Sequence, residues 1–181
     1  MRKSTLTISF VALMACFICI CAQIAIPLGG VPLTLQTFAV AFCGYMLGKY
    51  KGVFACLIYL SLGAIGLPVF SGFGGSLAFL FGPTGGFLFG FLILSFFCGM
   101  ITNKASSGIV FLISLIGLFL CHLTGVLWFA HISGISFAKS FLLTSLPYLL
   151  KDILSLIFAR ILFRKISSRL PKHRFLKQNL T

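Results

Sequence analysis

Acidic side chains are almost absent: the 181 residues include one, Asp152, against 14 lysines and arginines. A single carboxylate excludes the paired carboxylates of general acid–base catalysis, and no HExxH stretch offers a catalytic metal, so the chain does not read as an enzyme. A G-x-x-x-x-G-K-[ST] phosphate loop is also missing. The stretch GYMLGKY, Gly44 to Tyr50, has the wrong spacing and no hydroxyl residue, so the sequence carries no ATP motor of its own. An ion-coupled carrier would show weakly repeated halves and several intramembrane ionisable groups. One carboxylate, with the glycine-rich motifs confined to the first half, argues against it and leaves it as the alternative reading.

Charged residues make up only 8% of the chain while 60% are hydrophobic and the mean hydropathy is +1.17, too little polar surface for a soluble globule. The apolar runs are far longer than the ~10 residues of a barrel strand and show no in/out alternation, which leaves helices. The sequence predicts an all-α integral membrane protein, multi-pass in the cytoplasmic membrane. One domain over residues 1–181 would hold six transmembrane helices, near 5–28, 33–48, 52–69, 84–102, 108–130 and 140–163.

Arg2, Lys3, Lys49, Lys51, Lys104 and the basic tail 164–181 then fall on one side, and the opposite loops hold only Lys139. The positive-inside rule puts both termini in the cytoplasm. The tail reads as attracted to anionic headgroups of the lipid bilayer rather than to nucleic acid, at ~1 kcal/mol per basic residue. A signal peptide would share the Arg-Lys start and the apolar stretch from Ile8 to Ile20, but the apolar run continues to Leu28, as a first span does. All seven cysteines lie within the apolar runs, and no histidine accompanies Cys16, Cys19 and Cys21, so they read as small packing residues rather than metal ligands.

Three features carry chemistry. Asp152 lies in the sixth span, twelve residues above the anchor Arg164. At ~1.5 Å per residue that is ~18 Å, in the outer half of the bilayer. An intramembrane carboxylate is expensive and marks a functional site, and pairing with Lys151 is disfavoured because adjacent helical residues diverge by ~100°. His122 reads instead as a histidine hydrogen-bonded between helices. The second outer connection, Gly66 to Gly90, is rich in glycine and phenylalanine. Non-helical backbone at membrane depth is tolerated only inside protein or around a cavity, so this stretch predicts a pocket with Phe70, Phe73, Phe79 and Phe81 as walls.

The ordered set AQIAIPLGGVPLTLQTFAVAFCGYMLG, LIYLSLGAIGLPVFSGFGG, FGPTGGFLFGF, GVLWFA and SFAKSFLLTSLPY, followed by Asp152, resembles the BioY family, biotin-specific S components of energy-coupling factor transporters. The resemblance implies a six-helix subunit that captures biotin at its outer face without a cofactor, and that works with a transmembrane coupling subunit and two ATPase subunits. It implies that IPLGGVPLTLQT is a loop over the ligand, and that Gln36, Thr37, Phe70, Gly74, Gly75, Pro83, Thr84, Gly85, Gly86, Tyr148, Lys151 and Asp152 bind it. It also implies that Ala12, Ala15, Cys16 and Cys19 form the small-residue face that docks the coupling subunit. One departure stands out: where the family reads Pro-Gly-Asp-x-x-Lys, this chain has Leu150, Lys151, Asp152 and, in place of the lysine, Ser155. Lys151 is expected to supply the missing cation.

Overall fold

The computed structural model describes residues 2–26, 31–100 and 106–169. The side chains of Arg2 and Lys3, together with Lys104, the centre of the first outer loop and the tail beyond Arg169, lie outside the described residues. The chain is mostly helical: α1 (Arg2–Gln23), α2 (Gln36–Leu47), α3 (Lys49–Ala64), α4 (Leu77–Leu80), α5 (Gly85–Gly99), α6 (Ser107–Ser133), α7 (Phe137–Thr144) and α8 (Leu146–Arg169). A two-stranded hairpin, β1 (Ala25–Ile26) and β2 (Leu33–Thr34), joins α1 to α2, with Ala25 opposite Thr34 and Ile26 opposite Leu33.

Among the described residues two helices are long and apolar enough to cross a bilayer, Thr5–Gln23 and Ser107–Ser133, or three if the bent pair α7 and α8 counts as one crossing. The other spans expected from sequence correspond to shorter helices. α2 has 12 residues and α5 has 15, or about 18 and 22 Å at the helical rise. Length matters little for α2, because all but one of its residues are buried and its sides meet α1, α3, α5 and α8 rather than lipid.

The sixth predicted span is broken. Pro147 has no N–H to return to Leu143, so the ladder of α7 cannot run on, and α8 leaves at 51°. Proline suits the first turn of α8, where amide groups are unpaired anyway. The break sets a new register, in which Tyr148, Asp152, Ser155, Leu156, Ala159 and Phe163 form one buried stripe at i, i+3 and i+4 spacing. The bend thereby brings Tyr148 and Asp152 under the hairpin.

Lys49 and Lys51 begin α3, while Arg164, Lys165 and Arg169 end α8. Gly99, at the end of α5, packs against the Gly48–Lys49 backbone. These groups gather at the end of the bundle opposite the hairpin.

Candidate functional site

Asp152 is 4% exposed and is built into a chain of polar contacts. Its Oδ2 lies 3.2 Å from His122 Nε2, and His122 Nδ1 lies 2.8 Å from Ser145 Oγ. A neutral ring carrying its proton on Nε2 satisfies both: Nε2–H donates to the carboxylate and Nδ1 accepts from the hydroxyl. Ser145 is available for this because it sits, fully buried, at the break between α7 and α8. On the other oxygen, Asp152 Oδ1 pairs with Lys151 Nζ, which also donates to the Thr34 carbonyl at 2.9 Å. The pair forms although the two residues are adjacent in the helix. The flexible lysine stem covers the angular gap that made the pairing disfavoured on spacing alone.

These groups border a cavity of about 60 Å³ between the hairpin and α2, α5, α6 and α8. A single water needs about 10–15 Å³ of such free space, so the cavity holds a handful of waters and not a bicyclic ring. Thr34, Gln36, Thr37, His122, Tyr148 and Asp152 give it a polar side, and Phe79, Phe87, Phe91 and Leu118 an apolar one. The hairpin closes the top, because Tyr148 donates its hydroxyl to the Val31 carbonyl and Lys151 holds Thr34. Gln36 is fixed at the head of α2: Thr34 Oγ1 donates to its Oε1 at 2.9 Å and its Nε2 donates to Tyr59 at 2.5 Å.

Outside this cavity lies a wider vestibule of about 850 Å³, lined by residues of the hairpin and of the 71–84 connection. The two spaces share Pro32, Ser71, Phe79 and Thr84 as a common neck. Gln23 fixes one wall, with Nε2 donating to the Phe70 carbonyl at 3.0 Å and Oε1 accepting from Phe73 N at 3.0 Å.

Of the residues expected from the sequence, Gln36, Thr37, Thr84, Tyr148 and Asp152 meet around the inner cavity, Lys151 closes its side, and Pro83 lines the vestibule. The others lie against neighbouring chain segments and line neither space. Phe70 is fully buried between Tyr59, edge-on at 5.5 Å, and Phe79, stacked at 5.2 Å. A Cβ at Gly75 would overlap the Leu67 carbonyl, and one at Gly86 would overlap the Trp128 side chain. Gly74 and Gly85 are likewise filled by Phe79 and the Leu80 carbonyl, so these four glycines let neighbouring chain segments touch. Ser155, at the family's lysine position, faces a groove between α2 and α8, outside the cavity.

On α1 the expected docking face divides. Ala12 and Cys16 are exposed, Cys19 is half-buried, and Ala15 at 1% exposure belongs to the core. Ser9 is exposed as well and continues the outward row through Ala12 to Cys16. Sequence reasoning underrated His122 and did not single out Ser145 or Thr34. The rule that flagged Asp152, that an ionisable group inside a span marks a site, applies equally to His122.

A bundle of apolar helices with a polar-sided cavity around a buried carboxylate at one end defines an α-helical membrane protein with an internal site beneath its hairpin. Residues 1–172 match the sequence profile of the BioY family, and the chain belongs to that family. It is 40% identical over 159 residues to the probable biotin transporter BioY of Pyrococcus horikoshii, covering 88% of this chain and 94% of that one. It is 36% identical over 167 residues to biotin transporter BioY2 of Lactococcus lactis subsp. cremoris, covering 89% and 92%. A crystal structure of the S-component for biotin from an ECF-type ABC transporter superposes with a TM-score of 0.88 at 26% identity, over 97% of both chains.

Proposed function

We propose that this protein is the membrane subunit that binds biotin with high affinity for uptake, and that partner proteins supply the energy. The observation that carries the reading is the enclosed cavity around Asp152, in a chain whose relatives are named biotin transporters. A carboxylate accepts hydrogen bonds from ureido N–H groups, and Lys151 beside it keeps Asp152 charged for that role. Phe79, Phe87 and Phe91 offer apolar contact for a fused ring. The hairpin serves as the cover, which must lift to admit anything larger than the present space. Purified protein in detergent should bind labelled biotin, resist competition by other vitamins and hydrolyse no nucleotide. Intrinsic ATPase activity, or tight binding of a different vitamin untouched by biotin, overturns the proposal. Uptake into liposomes that follows a proton or sodium gradient without partners would favour the ion-coupled carrier.

In this reading residues 1–181 form one domain of the cytoplasmic membrane with six crossings. The basic end of the bundle and both termini face the cytoplasm, and the hairpin faces outward. The partners are a transmembrane coupling subunit and two ATPase subunits. The exposed row Ser9, Ala12 and Cys16 suits close approach of a partner helix, since small side chains let backbones come together. Cys16→Trp is expected to abolish co-purification with the coupling subunit while biotin affinity stays within about twofold, because Cys16 is exposed on α1 and does not line the cavity. Loss of folding and binding together would place Cys16 in the bundle's own packing instead.

A further inference from the structure

The vestibule differs from the inner cavity in one respect that bears on what can be bound. Its lining includes Gln23, Ser71, Ser76 and Thr84, but among the described residues it has no charged side chain. The sequence extends this to the neighbouring segments: no lysine, arginine, aspartate or glutamate occurs from residue 4 to 48 or from 52 to 103, which includes the loop centre at 27–30. The outer-end cations are Lys139 on α7, which lines neither space, and Lys151, whose ammonium is committed to Asp152 and the Thr34 carbonyl.

Biotin has two polar ends, a neutral ureido ring and an anionic valerate. Placing the valerate inward would set a second carboxylate against Asp152, in a space whose one lysine is already paired. Like charges in a low-dielectric site repel strongly. The ureido ring therefore takes the inner end, and the tail runs through the neck at Ser71 and Thr84 into the vestibule. Neither of those hydroxyls has a hydrogen-bond partner among the described residues, and both border the two spaces. A hydroxyl donates equally well to the C=O of an acid, an amide or an ester.

We propose that this site does not read the charge of the tail, and that it accepts biotin derivatives blocked at the carboxyl, such as amides, esters and the lysine conjugate, nearly as well as biotin. The vestibule's 850 Å³, open to the outside, leaves space for the added group. A site that pairs a carboxylate with a buried cation rejects the neutral analogue strongly, because the cation is then left unpaired. Here there is no such cation to strand.

The inference rests on the biotin reading above, and the experiment separates the two. Competition against labelled biotin on the purified protein is measured with unlabelled biotin, biotinamide, biotin methyl ester and biotinyl-lysine. Unlabelled biotin that fails to compete would end the biotin reading itself. Biotin that competes while the derivatives bind within about threefold of it supports tail tolerance, and derivatives weaker by about 30-fold or more overturn it alone. A gain-of-charge variant gives an independent arm. Ala78 is exposed on the vestibule wall, so Ala78→Arg should raise the preference for the acid over the amide to about fivefold or more. An unchanged ratio in a variant that still binds biotin would mean that the tail does not enter the vestibule.

Discussion

Asp152→Asn is expected to weaken biotin binding by about 100-fold, the largest effect of any single polar substitution in the cavity. Hydrogen bonds to a charged partner contribute about 1.5–3 kcal/mol each, against roughly 1 for neutral ones, and each 1.4 kcal/mol is a factor of ten in affinity. The substitution also strands the Lys151 ammonium without its counter-charge, and an unpaired buried charge destabilises a fold by several kcal/mol. The two consequences separate in the double variant Asp152→Asn/Lys151→Met, which removes both charges. Its melting temperature should return to near that of the parent while its affinity stays low. Full recovery of affinity in isothermal titration would make Asp152 a purely structural partner of Lys151 and remove it from the binding site.

Gly86→Val is expected to cost most of the folded protein. A Cβ at this position would overlap the Trp128 side chain and press on the Thr124 carbonyl, so α5 and α6 would have to part along their contact. Forcing carbon into a packed interface costs about 1–3 kcal/mol where side chains can yield, and more where backbone is the obstacle. We expect at least about 3 kcal/mol, seen as a collapsed monodisperse peak in size-exclusion chromatography, with Gly86→Ala intermediate. If Gly86→Ala were as stable as the parent but failed to bind biotin, the glycine would belong to the ligand site rather than to the helix contact.

The opposite roles of these two residues show what was legible in the sequence. Asp152 announced itself because a carboxylate amid apolar residues has a large energetic cost and needs a reason to be there. The glycines of GPTGG also stood out, but a sequence does not distinguish a glycine that admits a ligand from one that admits a neighbouring helix. For Gly86 the neighbour is Trp128, more than forty residues away. His122 is a similar case. Its partners Ser145 and Asp152 come from either side of the α7–α8 break, and a break caused by Pro147 changes the register of everything after it. Helices were readable from apolar run length, with the second as the shortest run, and burial on all sides is what frees α2 from the bilayer's thickness. On α1, small residues at near-helical spacing pointed to one face, whereas Ala15 and Cys16 occupy opposite environments.

The small size of the inner cavity has a kinetic consequence. A form closed by the Tyr148–Val31 and Lys151–Thr34 contacts cannot be the form that captures a bicyclic ligand, so capture waits for the hairpin to lift. The measured association rate is then the encounter rate multiplied by the fraction of time the hairpin of the empty site is open. Where the same contacts close the hairpin over the occupied site, departure is multiplied by its open fraction too, so loosening Tyr148 would speed both arrival and departure and shift their ratio less than either rate. Residence time, more than affinity, is the quantity those two carbonyl contacts control.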